Sequence, residues 1–129
     1  MEKIIADGLA RLPSFSHAVV AGDTIYVSGS LGTLPDSMEL VAGGIGPETA
    51  QTIANIKRIL EECGANTDDI VKVNVYVSDM STFGEMNDAY LDVFGASPPA
   101  RITVGGVDLA LGAAVEIDCI AYKPADNTV

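Results

Sequence analysis

The chain has 129 residues, a hydrophobic fraction of 48% and a formal net charge of −11. This length predicts one domain, residues 1–129, which buries roughly two-thirds of the surface of the unfolded chain. The 18 acidic side chains outnumber the 7 basic ones and argue against binding to nucleic acid, because affinity for a phosphate backbone rests mainly on lysine and arginine. Small-molecule chemistry is therefore the favoured class of function.

The sequence also argues against a membrane protein and against a metal site. Its apolar tracts are interrupted well short of the ~20 residues that a membrane-spanning helix needs, and the N-terminal MEKIIADGLARL lacks the features of a signal peptide. Cys63 and Cys119 have no CxxC spacing and form no metal pattern with His17, the one histidine. We therefore expect a cytoplasmic protein with two buried, reduced thiols and no bound metal.

The first half of the chain predicts a strand followed by a helix. TIYVSG at 24–29 alternates apolar and polar residues with the period of a strand. Apolar and small residues recur at helical spacing over 47–62, with Pro47 in the first turn and Gly64 placed to end the helix.

The clearest strand is IVKVNVYV at 70–77, whose alternation divides the side chains between two faces. One face is predicted to carry Val71, Val73, Val75 and Val77. The other is predicted to carry Lys72, Asn74 and Tyr76.

The second half of the chain predicts a helix and two strands. Ser81 can cap a helix over 82–94, and strands follow near 101–105 and 113–122. The order of the elements indicates an α+β domain with a mixed sheet and two helices packed on one face.

The other face of this sheet is predicted to be covered by further copies of the chain. Strand 113–122 directs Glu116, Asp118 and Ile120 away from the helices, and strand 70–77 carries Lys72, Asn74 and Tyr76 on the same side of the sheet. This mixture of apolar and polar groups is typical neither of a core nor of a solvated surface. It favours an oligomer in which polar groups line clefts between subunits.

Several segments, in this order and spacing, resemble the YjgF/RidA family of enamine/imine deaminases, which is also called the endoribonuclease L-PSP family. They are VSGSLG (27–32), ETAQTIANIKRILEECG (48–64), DDIVKVNVYVSDMSTFGEMNDAYLDVF (68–94), PPAR (98–101) and VEIDCIAY (115–122). The resemblance implies a chorismate-mutase-like α+β fold and a homotrimer with three sites between subunits. It also implies a cofactor-free enzyme that hydrolyses small 2-imino or 2-enamino acids to 2-keto acids.

Arg101 is the candidate for binding the substrate. In similar proteins the arginine after Pro-Ala clamps the substrate carboxylate, and the planar guanidinium suits that task because it binds a carboxylate through two hydrogen bonds. The alternative is an arginine at the start of a strand that pairs with a nearby surface acid.

Asp118 is the candidate for catalysis, since the resemblance implies a carboxylate at this position that orients the attacking water. The family usually has glutamate there, so Asp118 would be one methylene shorter. The alternative is an interfacial acid that only neutralises Arg101. Glu116 lies on the same strand face and is the reserve candidate for the catalytic acid.

Five further residues match ligand-binding positions of the family. Ser28 and Gly29 correspond to its Ser-Gly pair, Thr103 falls two residues after the arginine, and Asn87 matches an asparagine of the second helix. Phe15 stands where many members have a tyrosine, so the aromatic wall is kept without the hydroxyl. For His17 no nearby Ser or Cys nucleophile with an acid partner is evident, so His17 is interpreted as structural.

Two functions from different classes follow from this pattern. The first is a deaminase acting on 2-imino acids, with Arg101 and Asp118 in the site. The second is a protein that binds or senses small 2-keto or other carboxylic acids in the same cleft without turnover.

Overall fold

The computed structural model describes residues 1–124, and their strands form one six-stranded sheet in the order β1-β2-β3-β6-β4-β5. The strands are β1 (Glu2–Ile4), β2 (Ala18–Ala21), β3 (Thr24–Ser30), β4 (Ile70–Val77), β5 (Ala100–Gly105) and β6 (Val115–Tyr122). The two α-helices are α1 (Ile45–Glu62) and α2 (Phe83–Phe94). The α+β prediction with a mixed sheet and two helices is confirmed.

The last strand lies in the middle of the sheet. β6 pairs antiparallel with both β3 and β4, whereas β4 and β5 run parallel and are joined through α2. The helices pack against each other over the same face of the sheet, where Ile56 and Leu60 of α1 and Met86 and Tyr90 of α2 are buried. β6 therefore holds the two halves of the chain together.

The predicted alternation along β6 is confirmed. Val115, Ile117 and Cys119 are buried under the helices, while Glu116 and Asp118 lie on the opposite face and are partly exposed. The apolar face of this central strand provides the burial that fixes its register, because a slip of one residue would turn the acids into the core.

The prediction for Val71 is wrong. A bulge in β4 places Ile70 opposite Ala121 and Lys72 opposite Ile120, so that Val71 is the extra residue. Ile70 is buried in its place, and the Val71 side chain is 50% exposed. The other three valines of the predicted face are buried.

Smaller differences occur at the ends of elements. α1 begins two residues before the predicted residue 47, and the chain before β3 forms β1 and β2, which the periodicity did not indicate. Both cysteines are free thiols, but only Cys119 is fully buried; Cys63 is half-buried, which corrects the prediction for it. Neither helix within residues 1–124 is long and apolar enough to cross a membrane.

The face of the sheet opposite the helices is uncovered in the single chain. Large apolar side chains lie exposed on it, among them Tyr26, Ile102 and Tyr122, each about half exposed. The polar side chains of Asn74 and Tyr76 lie between them on β4. This is the surface for which the sequence predicts contact with other copies of the chain.

Candidate functional site

Arg101 and Thr103 point towards the helices from the edge strand of the sheet. β5 pairs in register with β4, so that Arg101 lies beside Val73 and Thr103 beside Val75, both of which are buried under the helices. The prediction that Arg101 and Thr103 share a face is confirmed. Ile102 lies on the open face instead.

Side chains of α2 hold the guanidinium of Arg101. Its Nη1 donates a hydrogen bond to Asn87 Oδ1 over 2.8 Å. Its central carbon lies 4.6 Å from the centre of the Tyr90 ring and 5.5 Å from that of Phe83, within the range of cation–π attraction. Asn87 therefore orients the arginine.

The arginine cluster, defined as Arg101, Asn87, Thr103, Phe83 and Tyr90, has unused binding capacity. Within residues 1–124, Arg101 forms no ion pair with any carboxylate. The hydroxyl oxygens of Thr103 and Tyr90 are buried and have no hydrogen-bond partner in the same part of the chain. Such groups are costly to leave unpaired. The cluster therefore offers one cation to an anionic ligand, beside two buried hydroxyls that have no partner within residues 1–124.

A separate cavity of about 310 Å³ lies between the end of β3 and the N-terminal segment. Three of the predicted site residues, Phe15, Ser28 and Gly29, line it together with Glu116. Arg101, Thr103, Asn87 and Asp118 are not among its lining residues. In a single chain the predicted site residues therefore lie in three separate places, which are the cavity, the arginine cluster and the open face of the sheet.

A bulge in β3 brings Glu116 against Gly29. The register with β6 shifts between Val27 and Ser30, and Gly29 lies so close to the carboxylate of Glu116 that a methyl group in place of its hydrogen would overlap Oε2. A larger residue at position 29 would require the Glu116 carboxylate to move. The pKa of Glu116 is raised mainly by burial and, to a smaller extent, by the negative charge of Asp118.

Asp118 lies on the open face and outside the cavity wall. Its Oδ1 accepts a 2.6 Å hydrogen bond from Asn74 Nδ2, and its negative charge is the largest cause of the raised pKa of Tyr76. Arg101 points to the opposite face, so the alternative in which Asp118 neutralises Arg101 does not occur within the chain.

Most of the other polar side chains around the cavity are bound to the backbone. Ser28 Oγ donates to Ser16 O over 2.6 Å, and Asn55 Nδ2 donates to the carbonyls of Leu31 and Thr33. The buried His17 accepts from the Ala6 N–H at Nδ1, and its Nε2 lies 3.2 Å from Ala10 O. The structural interpretation of His17 is supported, because both ring nitrogens fix the N-terminal segment.

Neither thiol nor metal chemistry is indicated in the part of the chain that the structure describes. Burial, together with the charge of Asp118, raises the pKa of the Cys119 thiol to about 12, which keeps it protonated. Among residues 1–124, no group of three or more His, Cys, Asp or Glu side chains is arranged to hold a metal ion.

Comparison with known proteins connects this geometry to a family. Residues 6–123 match the family model described as Endoribonuclease L-PSP. The chain is 42% identical over 109 residues to a RutC family protein of Pyrococcus abyssi, covering 84% of this chain and 86% of that one. It is 39% identical over 125 residues to the 2-iminobutanoate/2-iminopropanoate deaminase of Bos taurus, covering 95% and 91%. The crystal structure of RidA from an Antarctic Psychrobacter superposes with a TM-score of 0.88 at 36% identity, covering 95% and 99%.

The raised pKa of Glu116 leads to the first prediction. Replacing Asp118→Asn removes a like charge, so the pKa of Glu116 should fall while staying above its ordinary value, because burial is the larger cause. Carbon-13 NMR titration of labelled glutamate side chains measures this, with Asp92→Asn on α2 as the control that should leave Glu116 unchanged. An ordinary pKa for Glu116 in the unmodified protein would contradict the burial argument.

Proposed function

Because the chain belongs to the YjgF/RidA family, also called the endoribonuclease L-PSP family, we propose that it is a cofactor-free deaminase that hydrolyses 2-enamino and 2-imino acids to 2-keto acids and ammonia. The observation that carries the proposal is the arginine cluster, in which an oriented guanidinium has no acid partner within residues 1–124. The name of the bovine relative supports the reaction type. The net charge of −11 argues against RNA as the substrate.

The substrate carboxylate binds to Arg101 in this proposal. The guanidinium keeps its charge at every ordinary pH and can offer two parallel N–H groups to a carboxylate. The Thr103 hydroxyl, which lacks a hydrogen-bond partner among residues 1–124, lies on the same strand face and can donate to the same ligand. The hydrogen bond to Asn87 keeps the guanidinium in place.

Glu116 accepts and donates the protons of the reaction in this proposal. Its carboxylate takes a proton from the attacking water as the water oxygen bonds to the imine carbon, and the C=N double bond becomes a C–N single bond. The carboxyl group gives this proton to the nitrogen, which forms a carbinolamine with one hydroxyl and one amino group on the same carbon. The carboxylate then takes the hydroxyl proton and passes it to the amino nitrogen while the C=O bond forms and the C–N bond breaks, so that ammonia and the 2-keto acid leave. A carboxyl group with a raised pKa is suited to both steps, because it releases and accepts protons closer to neutral pH.

Glu116 thereby takes the role that the sequence analysis gave first to Asp118. Glu116 lies in the cavity wall beside Ser28 and Gly29, whereas Asp118 is bonded to Asn74 outside that wall. The catalytic role of Asp118 stays a prediction that direct comparison of the two acids can test.

A complete site requires two chains in this proposal. Within one chain the cavity with Glu116 and the arginine cluster are separate, and Arg101 points away from the sheet face that carries Glu116. We propose a homotrimer in which the arginine cluster of one subunit closes the cavity of the next, giving three equivalent sites. The exposed apolar side chains of the open sheet face support assembly.

The second function predicted from the sequence, binding or sensing of small carboxylic acids without turnover, uses the same arginine cluster. It requires Arg101 and Thr103 but no proton transfer by Glu116. The two functions therefore differ in what the loss of the Glu116 carboxylate should do.

The second prediction compares the two acids. Glu116→Gln keeps the shape of the side chain but cannot accept a proton at neutral pH, so release of ammonia from a freshly generated 2-imino acid should fall by about 10²–10⁴-fold. Asp118→Asn should change turnover by only a few-fold. The assay subtracts the rate in buffer alone. Loss of turnover in Asp118→Asn with retention in Glu116→Gln would reassign the role to Asp118.

The third prediction concerns the carboxylate clamp. Arg101→Lys keeps the positive charge but loses the planar pair of donors, so kcat/KM should fall by about 10²-fold while the assembly persists. Arg58→Lys is the matched control, since Arg58 forms an exposed pair with Glu62 on α1. Sedimentation checks the assembly of both variants. An Arg101→Lys enzyme with nearly unchanged kcat/KM would exclude the clamp.

A further inference from the structure

The mouth of the cavity carries large apolar side chains that a small polar substrate would not need. Leu12, Phe15, Met38 and Leu111 all line it, and between 38% and 54% of each residue is exposed. They come from separate parts of the chain, so the fold brings them together. Exposed apolar groups gathered at one place indicate a binding surface.

The polar side chains of the wall are already occupied, with one exception. Ser28, His17 and Asn55 bond to the backbone, and the guanidinium of Arg11 donates to the carbonyls of Leu12 and Phe15. The Glu116 carboxylate alone, among the polar side chains of this wall, has no hydrogen bond to a residue within 1–124. The cavity therefore offers a ligand one acid, the remaining N–H groups of Arg11 and a mostly apolar lining.

Leu111 is held at the cavity mouth in a strained conformation. Its φ of 61° and ψ of 14° lie in the left-handed region, which a leucine adopts only at an energetic cost that glycine would avoid. Backbone strain of this kind persists where surrounding structure holds it, and it is concentrated at functional sites. The strain here places a bulky apolar group beside the cavity.

The size of the cavity exceeds that of the smallest imino acids. A three- or four-carbon 2-imino acid has about six or seven non-hydrogen atoms, which at ~30 Å³ for each water-sized group would occupy roughly 200 Å³. The cavity measures about 310 Å³. The 2-imino acid derived from leucine has about nine such atoms, and its additional side-chain carbons fit within the remaining volume.

We propose that the cavity is a side-chain pocket that selects 2-imino acids with a large apolar side chain, of the leucine or methionine type, and that Leu111 is a specificity-determining residue. This rests on the proposed deaminase function. The apolar side chain of the substrate displaces water from the pocket against Leu12, Met38 and Leu111, and the imine carbon faces Glu116. The hydrolysis itself is unchanged: water adds to the C=N carbon, and ammonia leaves.

The fourth prediction tests the selectivity with imino acids made in place by an amino-acid oxidase from alanine, 2-aminobutyrate, leucine and methionine. For the full chain, kcat/KM for the leucine-derived imine should exceed that for the alanine-derived imine by at least about 10-fold, because each additional methylene contributes to binding in an apolar pocket. Equal or better turnover of the alanine-derived imine would overturn the proposal.

Absence of turnover with every imine would contradict the deaminase function. Measurements of ligand binding would then test whether the cavity prefers large apolar side chains. Calorimetry with 4-methyl-2-oxopentanoate and with pyruvate compares a large and a small 2-keto acid at the same site. Tighter binding of the larger acid would support the apolar pocket. Equal binding, or tighter binding of pyruvate, would overturn it.

Variants locate the selectivity in the pocket. Leu111→Gly removes the side chain and relieves the backbone, so the ratio of kcat/KM for the leucine-derived imine to that for the alanine-derived imine should fall by about 10-fold. Leu91→Ala is the control, since Leu91 is a comparably exposed leucine on α2 outside the cavity lining. Met38→Ala provides a second variant that leaves the strained turn intact.

Two results would remove Leu111 from this role. An equal loss for both imines would mean that Leu111 supports the fold of the site and not its selectivity. A change in sedimentation of Leu111→Gly would mean that a second copy of the chain, and not the substrate, covers this side chain. Met38→Ala should reproduce the loss that is specific to the larger imine, and failure to do so would contradict the pocket.

Discussion

Side-chain alternation across β4, β5 and β6 is the constraint on which the arrangement of the site depends. The register places Arg101 under the helices and both Glu116 and Asp118 on the opposite face, so one chain cannot direct its clamp and its acids to the same point. No rotamer change reverses this, because the face of a residue is fixed by the pairing of the strand. A site that uses both groups must therefore draw on two chains.

The positive and negative side chains of the candidate site are separated in the same way. In a chain with a net charge of −11, Arg101 is kept apart from carboxylates within the described residues and is held by an amide and two aromatic rings. Such a cation retains its full attraction for an anionic substrate. The raised pKa of Glu116 also makes the stability of the fold depend on pH. The folded state favours the protonated form of Glu116, so the free energy of unfolding decreases as the pH rises through the raised pKa.

Periodicity in the sequence predicted the elements that carry strong alternation or a helical stripe, namely β4, β6, α1 and α2. It could not predict the bulge at Val71, because an extra residue in a ladder is determined by the partner strand and leaves the apolar pattern almost unchanged. β1 and β2 were missed since they are short and owe their structure to pairing, β2 with β3 and β1 with β2.

The same limit applies to the site. Alternation correctly placed Thr103 beside Arg101 and kept Glu116 and Asp118 on one face, but it cannot say which acid approaches Gly29. That depends on the bulge in β3, where two residues lie opposite one of β6. The contact between Asn87 and Arg101 depends on how α2 packs over β5, which no local pattern records.

The proposed division of the site between two chains can be tested most directly by complementation. Glu116→Gln and Arg101→Ala are each expected to be inactive as pure assemblies. When the two variants are unfolded together and refolded as mixed trimers, about a quarter of the sites should combine an intact cavity from one chain with an intact arginine cluster from its neighbour. Ammonia release should then recover to about that fraction of the activity of the unmodified protein. No recovery in trimers verified to be mixed would contradict a site shared between chains.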